Sequence, residues 1–120
     1  MPPQTKTPQT KDGQLSVDVF QSKDEIAIVA PIAGVKPDDV AITITDDVIT
    51  IRGERAHGTT LQKEDCFIQE CFWGTFSRSI VLPEDVDTSK TEAAFNNNVL
   101  VIRIPRIEKV KTKVVKIKRS

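Results

Sequence analysis

Residues 93–105 read A-A-F-N-N-N-V-L-V-I-R-I-P: two apolar runs around three asparagines, with a proline closing the second. Asparagine tolerates the positive φ that a tight two-residue turn demands, so the stretch predicts a β-hairpin. Its Val99-Leu100-Val101-Ile102 arm is too apolar to stand as a solvated ribbon and must pack against a second layer.

Working outward, the same grammar recurs. Leu15, Val17 and Val19 alternate with Ser16 and Asp18, which predicts a half-buried strand over residues 15–20. Ser22-Lys23-Asp24 turns the chain into E-I-A-I-V-A-P-I, and Pro37 marks a loop before the next run. Val40, Ile42 and Ile44 then alternate with Ala41, Thr43 and Thr45, Asp46-Asp47 makes a short turn, and V-I-T-I-R returns antiparallel. Residues 55–65 are polar and read as a loop; residues 66–73 are aromatic-rich and strand-like. Gly74 breaks that run, a further strand ends at Pro83, and a loop with a helical turn at Glu84-Asp85-Val86 leads to the hairpin. About eight short strands without an apolar helical period predict an all-β sandwich.

The chain has 120 residues, enough for one domain with a modest core. Its seventeen basic and seventeen acidic side chains cancel, so no global field draws it to nucleic acid or membrane. The charge is nonetheless lopsided: residues 106–120 hold seven Lys/Arg and one Glu, 7 − 1 = +6, leaving −6 on residues 1–105. The first fourteen residues carry three prolines and no aliphatic side chain after Met1, which predicts a disordered arm. That segment lacks a signal peptide's apolar core, and no run approaches the ~18 residues of a membrane span, so the expectation is a cytoplasmic protein. The expected division is a disordered arm over 1–14, one domain over 15–106 and a basic extension over 107–120.

Chemistry is hard to place on this sequence. His57 is the single histidine and sits in a polar loop beside Gly58, without the neighbouring nucleophile that acyl transfer requires. Cys66 and Cys71 lie five apart on one predicted strand. There they would face opposite sides about 17 Å apart, too far to bond to each other or share a metal. The pairs Asp38-Asp39, Asp46-Asp47 and Glu84-Asp85 all fall in turns, where short acidic side chains bond their own backbone. The glycines are scattered singly, without a phosphate loop. The sequence therefore predicts no enzyme, no cofactor and no metal.

Four segments, in order, resemble the small heat-shock proteins, the family built on the α-crystallin domain. They are L-S-V-D-V-F-Q-S-K-D-E from Leu15, A-G-V-K-P-D-D-V-A-I-T-I-T-D-D-V-I-T-I-R-G-E-R from Ala33, G-T-F-S-R-S-I-V-L-P from Gly74, and the hairpin itself. The likeness spans residues 15–117. Asn98 stands where the family's hairpin has glycine, and the family's long apolar N-terminal arm is here fourteen polar residues. The resemblance implies an immunoglobulin-like sandwich and an ATP-independent holdase that binds unfolding proteins and passes them to ATP-dependent chaperones. It also implies a homodimer formed by strand exchange. Cys66, Phe67, Ile68, Gln69, Glu70, Cys71 and Phe72 would form the exchanged strand, pairing with a partner's Leu15, Val17 and Val19. Exchange would cover two exposed edges. Val115 and Ile117 are similar to the family's tail anchor, and period-two spacing puts both on one face of an extended segment. Their expected dock is a groove between the strand of Ile42 and Ile44 and that of Thr91 and Ala93 in a neighbouring dimer. Burying both would give roughly 3–6 kcal/mol gross, much of it offset by ordering the tether. A different class of reading, a non-chaperone adaptor on the same sandwich, lacks a use for the anchor and the exchange loop.

Overall fold

The computed structural model describes residues 12–107 and 114–119. Eight strands form two four-stranded sheets among them: β1 (Gly13–Gln14), β2 (Asp18–Gln21), β3 (Glu25–Pro31), β4 (Val40–Thr45), β5 (Val48–Arg55), β6 (Gly74–Val81), β7 (Glu92–Asn96) and β8 (Val99–Pro105). One sheet runs β1-β6-β5-β4 and the other β2-β3-β8-β7. All pairings are antiparallel except β1 on β6. The expected all-β sandwich is the observed architecture.

Period-two patterning decides which side chains meet. Ile26, Ile28 and Ala30 of β3 and Leu100, Ile102 and Ile104 of β8 face Ile49 and Ile51 of β5 and Phe76 of β6 across one buried core. Gly53 lets the sheets close at that point, since a Cβ there would lie 2.6 Å from the Phe76 ring and 3.1 Å from the Asp39 carbonyl oxygen. The asparagine hairpin forms as expected, with Asn97 and Asn98 at φ 53° and 64° joining β7 to β8. Two successive positive φ values give the turn a twist that matches the strands it joins. The Asn98 carbonyl also accepts the Ile32 amide at 2.7 Å, which ties the turn to the end of β3. Asp46, at φ 56°, turns β4 into β5.

Four local readings change. The strand expected over residues 15–20 is split: β1 and β2 belong to different sheets, and residues 15–17 cross between them. Leu15 is pulled into the core, its amide donating to Ser77 O and its carbonyl accepting Arg78 Nη1, both at 3.1 Å. Gly13–Gln14, counted with the polar arm, pair with β6, fastened by the Arg52–Asp12 ion pair (2.8 Å); residues 1–11 lie outside the described residues. Residues 66–72 form no strand in the single chain; they follow a 3-10 turn at Lys63–Asp65 as irregular backbone. The helical turn expected at residues 84–86 lies later, at Thr88–Lys90, while Val86 bridges Arg106.

Candidate protein-binding surfaces

β4 closes one sheet and β7 the other, so the sandwich has an open flank where two sheet edges face each other. A groove of about 280 Å³ lies there, lined by Pro37, Val40, Ile42, Ala93, Ala94, Phe95 and Leu100. Val40 and Ile42 share a face of β4 by parity, Phe95 pairs with Leu100, and the alanines keep the β7 wall low. Of the four groove residues expected from sequence, Ile42 and Ala93 line it. Ile44 packs against the core as Ile42 does but lies outside the lining. Thr91 precedes β7 and is held by the 3-10 turn, its hydroxyl donating to Thr88 O at 2.8 Å. The remaining lining residues were missed, although the parity of Val40 with Ile42 would have found one of them.

The tail residues that resemble an anchor are uncovered, Val115 being 75% and Ile117 94% exposed. Val114 beside them is equally open. Their own groove is not where they rest, which leaves it free for another segment.

A second surface is the stretch between β5 and β6, where every residue from 56 through 73 is exposed. It displays Leu61, Ile68 and Phe67, the last at 94% exposure. Its base is anchored: the His57 and Trp73 rings meet edge-on at 5.1 Å, and the Thr59 hydroxyl and amide lie 2.8 and 3.2 Å from His57 Nδ1. At the far end Phe72 covers Gly13 so closely that a Cβ would lie 2.5 Å from its ring. Arg55 donates to Phe72 O at 3.5 Å and sets its guanidinium 5.3 Å from the centre of the Phe76 ring. Between these fastenings the backbone holds Cys66, Phe67, Ile68, Gln69, Glu70 and Cys71 out in solvent, both thiols free.

The edge expected to receive an exchanged strand narrows on inspection. Leu15 is buried and Val17 packs on the core, so neither offers a strand edge. β2 does: it pairs only with β3, and Val19 and Phe20 are 47% and 57% exposed.

No group of three metal-ligating side chains occurs among the described residues, and no helix there is long and apolar enough to cross a membrane. The carboxylates serve turns and staples. Asp85 takes Arg106 in a half-buried pair that also engages the Ser22 carbonyl, and Asp87 caps the Thr88–Lys90 turn. The Ser89 hydroxyl, donating to Asp87 Oδ1 at 2.6 Å, holds that carboxyl below its ordinary pKa; desolvation opposes this, and the Ser89 amide and Lys90 add smaller lowering contributions.

Comparison with known proteins follows this geometry. The sequence pattern of the Hsp20/alpha crystallin family matches residues 18–118. Small heat shock protein C4 of Rickettsia felis is 32% identical over 100 residues, 83% of this chain and 61% of that protein. Heat shock protein 16 of Schizosaccharomyces pombe is 33% identical over 102 residues, 82% of this chain and 70% of that one. The chain thus spans less than two thirds of the Rickettsia relative's length. Among solved structures, heat shock protein 16.0 from Schizosaccharomyces pombe superposes with a TM-score of 0.75 at 30% identity, over 93% of this chain and 80% of its own.

Proposed function

The chain belongs to the Hsp20/alpha crystallin family, and from that premise we propose that it is an ATP-independent holdase that binds partly unfolded proteins and limits their aggregation. The observation that carries this reading is the pairing of an apolar groove on an open sheet flank with eighteen consecutive exposed residues that include Leu61, Phe67, Ile68 and Trp73. Contiguous exposed apolar surface of this kind binds other chains, and the open strand edges can add hydrogen bonds to an extended client segment. Holding requires no bond making.

Assembly supplies the second half of the proposal. Residues 66–72 extend across to a partner's β2, covering its free edge, and a neighbour's Val115 and Ile117 enter the β4–β7 groove. Phe67 and Ile68 would each gain about 1.5–3 kcal/mol on full burial, which favours the dimer over the lone chain. The tail contact, two side chains on a lysine-rich tether, is weaker and reversible. We place the protein in the cytoplasm, handing its clients to ATP-dependent chaperones. The deciding experiment is heat-induced aggregation of a model client followed by light scattering. A stoichiometric amount of this protein is expected to suppress scattering without nucleotide; unchanged scattering would overturn the holdase reading.

A further inference from the structure

We propose that Cys66 and Cys71 form an intrachain disulfide under oxidation, and that this bond holds residues 66–71 out of the strand-exchanged dimer. The inference rests on the exchange reading above and adds a redox control to it. As an extended strand, residues 66 and 71 are separated by about 17 Å with side chains on opposite faces. A disulfide needs Cα atoms within roughly 7 Å. The strand and the bond therefore exclude each other.

In the single chain the extended ladder that would hold the two cysteines apart is absent. Residues 66–71 have no ladder to break, the backbone bends at Phe67 and again at Cys71, and no proline or glycine lies between the two cysteines. Both thiols are free and exposed, as an oxidant requires. Cys66 Sγ is folded along its own segment, within 3.2 Å of the Ile68 carbonyl oxygen it donates to, rather than into the core. The Cys66 amide is held to Lys63 O at 3.1 Å and Phe72 is held against Gly13, so any closure has to come from the residues between these two points.

The chemistry balances with a hydroperoxide as oxidant. One thiolate attacks the terminal peroxide oxygen, the O–O bond breaks, and a sulfenic acid and an alcohol (water, from hydrogen peroxide) form. The second thiolate attacks the sulfenyl sulfur, the S–S bond forms and water leaves. Two thiols lose two electrons and two protons; a reducing thiol reverses the change. In a reducing compartment such a bond would be transient, as a sensing disulfide is.

The test treats the full chain with hydrogen peroxide and follows native mass together with disulfide mapping. The expected product is a chain lighter by two hydrogens with a Cys66–Cys71 linkage, and self-association weakened by about tenfold or more. The pair Cys66→Ser with Cys71→Ser is expected to assemble identically with and without peroxide. If the reduced protein is dimeric and peroxide yields a linkage between subunits, or none, the switch is wrong and the exchange reading stands. If the intrachain bond forms fully and the dimer persists, residues 66–72 are not the exchanged strand, and both ideas fall together.

Discussion

The missing Cβ of Gly53 sets how close the two sheets of this sandwich come. Gly53→Ala would push a methyl to 2.6 Å from Phe76 and 3.1 Å from a backbone oxygen. The expected loss is about 1–3 kcal/mol, as for other overpacked cores, read as a lower denaturant midpoint with unchanged slope. Asn98 works in the other direction. It holds φ 64° with a side chain, so Asn98→Gly is expected to be neutral or to stabilise by up to about 1 kcal/mol, whereas a β-branched residue there should cost about 1–2 kcal/mol. Equal stability of the glycine and valine variants in chemical denaturation would show that the turn does not constrain the fold.

Elements show how far the sequence could be read. β3, β4, β5 and β8 were legible because each alternates against a single core, and the hairpin was legible because three asparagines leave few other shapes. β1 was not: two polar residues carry no pattern, and the pairing exists because Phe72 and Arg52 hold it in place. Residues 66–72 have strand composition, but in the single chain they pair with no sheet edge. The groove was half legible. Parity placed Ile42, but Thr91 is diverted into a capped turn, a tertiary choice that period-two spacing does not encode. At this scale Ile42→Asp is expected to abolish tail docking while leaving the dimer, seen as a smaller assembly by light scattering. Val115→Ala with Ile117→Ala should give the same size, and an unchanged assembly in both variants would sink the docking assignment. The Asp87 cap has its own signature. Because its carboxyl titrates below the ordinary value, the cap stabilises the turn above that range and is lost as pH falls through the lowered value. Amide exchange at Ser89 measured against pH, relative to Asp87→Asn, is expected to show this difference; coincident profiles would mean the cap is idle.

For the whole molecule, the distribution of charge matters more than its sum. A +6 carboxy-terminal stretch on a −6 remainder would let the tail of one copy complement the body of another in the assembly proposed above. In the proposed assembly, charge contacts between a lysine-rich tail and an acidic body would be screened by salt, while strand exchange, being largely backbone and apolar, would not. Raising ionic strength is therefore expected to dissolve large assemblies to dimers before dimers separate. Simultaneous loss of both in a salt titration would contradict a two-tier architecture.

Phe72 is a single ring with two obligations. It roofs Gly13, and it ends the segment offered for exchange. Whatever draws that segment toward another subunit also lifts the lid from β1, so the amino-terminal edge of each chain becomes a reporter of the company it keeps. Dilution alone, with no ligand and no change of buffer, should alter how readily a protease nicks the chain near Asp12.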